Sequence, residues 1–85
     1  MPYYVYILQC ADKTYYCGYT TNLQKRLLEH NESKKGAKYT QSRKPVVLKY
    51  NEKVNTLSQA LKREYGIKRL SHKEKALLID GTKDL

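Results

Sequence analysis

Eighty-five residues with 17 lysines and arginines against 8 acids, a formal net charge of +9, make one small domain, and that charge favours a polyanionic partner, most simply nucleic acid. No apolar run is long enough for a signal-peptide core or a membrane span. Cys10 and Cys17 are too few for a disulfide framework and match no zinc spacing, so the expectation is a cytoplasmic protein with reduced thiols and no membrane partner.

The 40% of hydrophobic and 29% of charged residues are an ordinary globular balance, but nine tyrosines with no Phe and no Trp are not. A buried tyrosine needs a partner for its hydroxyl, so several are expected half-exposed at a polar site. In chain order, residues 3–10 and 14–20 are rich in Tyr, Val, Ile and Thr and predict two strands. Ala11-Asp12-Lys13 lies between them as a hairpin turn. A two-residue loop would put Tyr6 and Tyr16 on opposite faces of the ribbon; a three-residue loop would put them on one face and ask Lys13 for a left-handed conformation.

Thr20, Thr21 and Asn22 offer capping oxygens for a helix to about Asn31. At roughly 100° per residue, Leu23, Arg26, Leu27 and His30 share one arc. Residues 32–44 read as a loop in which Lys34, Lys35, Lys38, Arg43 and Lys44 could track phosphates and Tyr39 could stack on a base. The alternative is a solvated surface loop. Pro45 opens a third strand, 46 to about 51. Thr56 with Gln59 makes a capping box for a helix from Leu57 to about Leu70, and Ser71 with Glu74 starts a last helix to about Ile79, which Gly81 ends. The order is ββαβαα, an α+β domain over residues 1–85.

Glu64 is the sharpest single residue. It falls near the middle of an arc with Leu57, Ala60, Leu61 and Ile67, where a lone carboxylate is costly unless paired or bound to a metal. The alternative is an ion pair to Lys68, one turn on. Taken singly, Tyr6, Tyr16, Arg26 and His30 also have ordinary packing or surface explanations.

Taken together, Tyr4-Val5-Tyr6, then Tyr16-Cys17-Gly18, Arg26, His30 and the distant Glu64 resemble the GIY-YIG nucleases, above all the small stand-alone bacterial members. The likeness covers about residues 3–80, and Gly36-Ala37-Lys38-Tyr39-Thr40 with Arg43 and Pro45 belongs to it. It implies a three-stranded antiparallel sheet flanked by helices and a metal-dependent endonuclease hydrolysing phosphodiester bonds. By that likeness Tyr6 activates water or acts as base, Tyr16 positions water or phosphate, Arg26 neutralises the scissile phosphate and His30 assists proton transfer. Glu64 would hold Mg²⁺ or Mn²⁺. A tyrosine with a pKa of about 10 is a poor base unless cations favour the phenolate, a bias Arg26 and the metal could supply. The substrate expected is DNA rather than RNA, single-stranded or structured, since the chain has no second DNA-binding domain.

Tyr4 stands where the family's first motif has glycine and Cys17 where the second has isoleucine. Many active members carry an asparagine on a helix after the glutamate; here none follows Asn55. That departure gives the alternative reading, a nucleic-acid-binding module of low or no activity on the same fold. A domain that meets an acidic protein through its basic face is the third.

Overall fold

A computed structural model describes residues 2–32 and 38–81. Its elements are β1 (Tyr3–Gln9), β2 (Tyr15–Thr20), α1 (Leu23–Glu32), α2 (Lys38–Gln41), β3 (Val47–Val54), α3 (Leu57–Lys68) and α4 (His72–Gly81). The three strands form one antiparallel sheet in the order β2-β1-β3. This is the expected α+β architecture with one addition: the segment read as a continuous loop contains the short helix α2. Lys34 and Lys35, named above as phosphate-tracking residues, lie outside the described residues.

β1 is central because it is apolar on both faces. Val5, Tyr6, Ile7 and Leu8 are all buried, as a strand covered on both sides requires. On one face Val5 and Ile7 pack with Cys17 of β2, Ala60 and Ile67 of α3 and Ile79 of α4. On the other, Tyr6 and Leu8 pack with Cys10 and Val46 and receive Tyr16, Leu23, Leu27 and Leu48. The domain thus has three layers, with α1 over one sheet face and α3 with α4 over the other.

The hairpin takes the three-residue form. Cys10 N–H donates to the Thr14 carbonyl at 2.8 Å, and Lys13 adopts a φ of 72°. A left-handed residue with a side chain costs about 1–2 kcal/mol. Asp12 offsets that cost by accepting hydrogen bonds from the backbone N–H and the hydroxyl of Thr14. In the resulting register Leu8 faces Tyr16 and Tyr6 faces Gly18, so both tyrosines lie on the α1 face.

β3 joins the other edge of β1 and shifts register between Ile7 and Leu8, where Tyr50 and Leu48 are the successive partners. Lys49 is the extra residue of a bulge, which reverses the alternation. Leu48 therefore packs on the α1 side while Tyr50 and Val54 pack on the α3 side. The Tyr50 hydroxyl donates to Glu52 at 2.7 Å, and Arg63 of α3 grips the same carboxylate with two bonds of 2.7 Å, fixing α3 to the sheet edge.

Asn22 caps α1, its side-chain oxygen accepting from Lys25 N–H at 3.1 Å. Near the other end of α1, Asn31 accepts from Val46 N–H at 2.7 Å and donates to the Val46 carbonyl at 3.1 Å. This one side chain replaces a ladder partner for the residue that leads into β3. Asn31→Ala is therefore expected to cost about 2 kcal/mol, because two half-buried backbone groups lose their partner; urea unfolding of the two proteins measures it.

The capping boxes behave as the sequence indicates. Thr56 accepts from Gln59 N–H and Ser71 from Glu74 N–H. The inner face of α3 does not. Leu57 and Leu61 are exposed, with Tyr65 beside them, while Ala60 and Ile67 point inward. The expected arc was too wide: α3 meets the sheet along a narrow line of small and β-branched residues, with Glu64 between them.

Candidate active site

The face of the sheet under α1 carries a connected polar group inside an apolar layer. Tyr6 projects from the middle of β1, and its hydroxyl lies 3.0 Å from His30 Nε2. His30 reaches it from the last turn of α1 and is fully buried. The other ring nitrogen, Nδ1, lies 2.7 Å from the hydroxyl of Thr40, itself fully buried on α2. Arg26, one helical turn before His30, lines a small cavity with Tyr6 and pairs with Glu29 at 3.2 Å. The arc shared by Arg26 and His30 on the wheel thus brings both side chains to the neighbourhood of one tyrosine.

Gly18 permits the position of Tyr6. A Cβ built on Gly18 would lie 2.6 Å from the Tyr6 hydroxyl and 2.8 Å from its Cζ. The aromatic ring lies against the bare backbone of its cross-strand partner, so the motif glycine is required by close approach and not by an unusual φ.

Tyr16 stands beside this group, its ring edge-on to His30 with centroids 5.3 Å apart and stacked on Tyr39 at 5.9 Å. Arg43 covers the Tyr39 ring at 4.0 Å, donates to the Tyr39 carbonyl at 3.0 Å and pairs with Asp12 at 3.0 Å. Read from the sequence as a phosphate ligand, Arg43 is thus also a clasp between the hairpin turn and α2. Lys38 is exposed and Lys44 half-buried at the same end of the domain.

Burial sets the electrostatics. It pushes the Tyr6 phenol up to about 12, against the opposing influence of the Arg26 guanidinium. Of the two cations expected to favour the phenolate, the guanidinium alone is outweighed by desolvation in the packed layer. Burial also depresses His30, to about 4, with the nearby Arg26 charge adding to the effect and Glu29 opposing it. At neutral pH the pair is a protonated tyrosine facing a neutral imidazole.

The His30 shift has a consequence for stability. Its folded value lies below the ordinary 6.5, so between the two the unfolded chain binds more protons, and stability rises with pH there. The contribution is fully present above about 6.5 and is lost as the pH falls toward about 4, with a ceiling of about 3 kcal/mol. Denaturation midpoints followed from pH 7 to pH 4 should fall in the native protein and flatten over that window in His30→Gln. Loss of the carboxylate pairs, such as Asp12 with Arg43, adds only at the acid end of the window.

Glu64 is placed differently. α3 covers the opposite sheet face, where the Cys17 thiol donates to the Glu64 carbonyl at 3.9 Å and the Glu64 carboxylate pairs with Lys68 at 3.4 Å. The glutamate side chain is 17% exposed and the lysine 50% exposed, so the ion pair anticipated from their spacing is formed but faces solvent. Among the described residues no cluster of three or more His, Cys, Asp or Glu could enclose a metal ion. Both cysteines are free and buried, and burial raises both thiols, Cys17 to about 12, which makes neither a nucleophile at neutral pH.

Sequence reasoning missed Thr40 as a contact of His30, Asn31 as the tie to β3, and Asp12 as the partner of Arg43. The only signal for Thr40 was its place in the segment Lys38-Tyr39-Thr40, ten residues after His30.

Residues 2–76 match the GIY-YIG catalytic domain, and the chain belongs to the GIY-YIG nuclease family. Within it, the similar proteins are small. The chain is 59% identical over 76 residues to the UPF0213 protein of Syntrophus aciditrophicus, covering 89% of this chain and 87% of that one. It is 49% identical over 78 residues to the UPF0213 protein of Staphylococcus haemolyticus, covering 92% and 94%. Solution NMR structures share the fold: the UPF0213 protein of Bacillus halodurans at 41% identity and a TM-score of 0.60, covering 94% of this chain and 84% of that one, and a protein of E. faecalis at 39% and 0.69, covering 100% and 90%. No described helix is long and apolar enough to cross a membrane.

Proposed function

We propose that the protein is a divalent-metal-dependent endonuclease that hydrolyses phosphodiester bonds in DNA, single-stranded or structured. The observation that carries this reading is the Tyr6 hydroxyl 3.0 Å from the neutral imidazole of His30, with Arg26 lining the same small cavity. A tyrosine that stays protonated cannot serve as a standing base. It can pass its proton to His30 Nε2 as it takes one from the attacking water. In that step the water oxygen bonds to phosphorus, the bond to the leaving oxygen breaks, and the leaving oxygen takes its proton from solvent. Arg26 neutralises charge that develops on the phosphate. Tyr16, on the rim of the group, positions the phosphate or the water.

Glu64 is the carboxylate for the metal. A single, partly exposed carboxylate fits Mg²⁺ or Mn²⁺ that keeps most of its waters and takes substrate oxygens, and the exposed Lys68 is free to swing away. Glu64 lies on the sheet face opposite Tyr6 and His30, so a metal held by it would supply charge to substrate oxygens that reach that face, and no step at the Tyr6 group is routed through it. Lys38 and Lys44 suit the phosphates of an unpaired strand, and a base would stack on Tyr39 by displacing Arg43 from its ring.

A second reading, a binding module without turnover, is favoured by the Glu64–Lys68 pair and by the absence of any asparagine after Asn55. Labelled single-stranded, duplex and forked DNA and RNA, incubated with Mg²⁺ or Mn²⁺ against EDTA, separate the two. Metal-dependent products on DNA support the nuclease. Salt-sensitive binding without products at any metal concentration supports the module and ends the nuclease reading.

A further inference from the structure

We infer that Thr40 is a positioning residue of this centre: its hydroxyl holds His30 as the Nδ1–H tautomer, so that Nε2 presents a lone pair to Tyr6. The assignment follows from the hydrogen-bond inventory along the chain Arg26, Tyr6, His30, Thr40. A guanidinium has donors and no acceptor, so Arg26, which lines the same small cavity as Tyr6, cannot take the phenol proton. Tyr6 is a buried residue, and its proton needs an acceptor; the nitrogen 3.0 Å away, His30 Nε2, is that acceptor. A neutral imidazole with a bare Nε2 carries its proton on Nδ1, and Nδ1 lies 2.7 Å from Thr40 Oγ1. Thr40 therefore accepts from Nδ1–H.

The fold supports this placement. The Thr40 carbonyl accepts from Arg43 N–H at 3.1 Å, and Arg43 is held by Asp12 and Tyr39, so the short helix α2 is pinned to the hairpin turn that also sets the Tyr6–Tyr16 register. When Tyr6 gives its proton to Nε2, the imidazolium keeps its Nδ1 proton directed at Thr40, so the transfer needs no rotation of the ring. Without an acceptor at Nδ1 the Nε2–H tautomer gains, and in that form His30 cannot receive the proton.

The consequence for hydrolysis rests on the function proposed above; the tautomer does not. The chain has two histidines, so long-range proton–nitrogen NMR correlations of ¹⁵N-histidine-labelled protein at pH 7 resolve both, and His72→Gln assigns them. The expected result is a protonated Nδ1 and a bare Nε2 on His30, retained in Thr40→Ser and lost or mixed in Thr40→Val. A bare Nδ1 in the native protein overturns the proposal whether or not Thr40→Val folds, and so does an unchanged tautomer in a folded Thr40→Val. In the cleavage assay Thr40→Val should lower kcat by about 10- to 100-fold with KM unchanged, and Thr40→Ser should restore it. Equal kcat in Thr40→Val and native protein overturns the catalytic consequence. Failure of the native protein to cleave counts against the function and leaves the tautomer result standing.

Discussion

Gly18→Ala is expected to lower cleavage by about 100-fold and to destabilise the fold by about 1–3 kcal/mol. The new methyl would occupy space 2.6 Å from the Tyr6 hydroxyl, within the closest contact a real Cβ makes, so Tyr6 must move. Tyr6 cannot rotate away freely. It is packed among Leu8, Cys10 and Val46, and its hydroxyl is tied to His30. A displacement of about 1 Å breaks the alignment of the relay, and errors of that size can cost about 100-fold in rate. Gly66→Ala is the internal comparison, because a Cβ there meets nothing within 4 Å and replaces glycine inside α3. It should stabilise by about 0.5–1 kcal/mol with cleavage unchanged. Thermal melts and cleavage rates of both variants decide this. Native activity in Gly18→Ala would show that the observed Tyr6 position is not required.

Glu64→Ala is expected to reduce metal-dependent cleavage by roughly 10²–10³-fold or more while leaving stability within about 1 kcal/mol of native. The two effects separate because, among the described residues, the carboxylate's charge partner is the half-exposed Lys68, and such pairs contribute little to folding. Raising Mg²⁺ should not rescue Glu64→Ala, whereas Lys68→Ala should cleave at lower Mg²⁺ than the native protein, since the carboxylate no longer has a competing cation. A metal titration of the three proteins reads both. Equal metal dependence in all three would remove Glu64 from the site.

Much of the fold was legible because it rests on local chemistry. The Tyr-, Val- and Ile-rich run of residues 3–10 reads as a strand, and the Thr56 and Ser71 caps mark the starts of α3 and α4. The site was half legible. Arg26 and His30 share a helical face at any register, but whether Tyr6 and Tyr16 share theirs depends on one residue of loop length. Asp12 decides it, through side-chain bonds to Thr14 that stabilise the turn with Lys13 in the left-handed region. Thr40 was hidden because it lies in a basic polar segment without periodicity, and only the tertiary clasp of Arg43 on Asp12 brings it under His30. The exposure of Leu57 and Leu61 was misread for a related reason. The bulge at Lys49 turns Tyr50 and Val54 toward α3, and with them it supplies apolar cover that the sequence suggested would come from the leucines.

The most direct test of the Tyr6–His30–Arg26 centre as a hydrolytic site is single-turnover cleavage of labelled single-stranded and forked DNA in Mg²⁺ by native protein and Tyr6→Phe, with binding followed by fluorescence anisotropy in the same samples. The expected result is metal-dependent products from the native protein and a loss of at least about 100-fold in Tyr6→Phe at unchanged affinity, since the substitution removes one hydroxyl from a ring that stays packed. Equal cleavage rates in the two proteins would contradict the account.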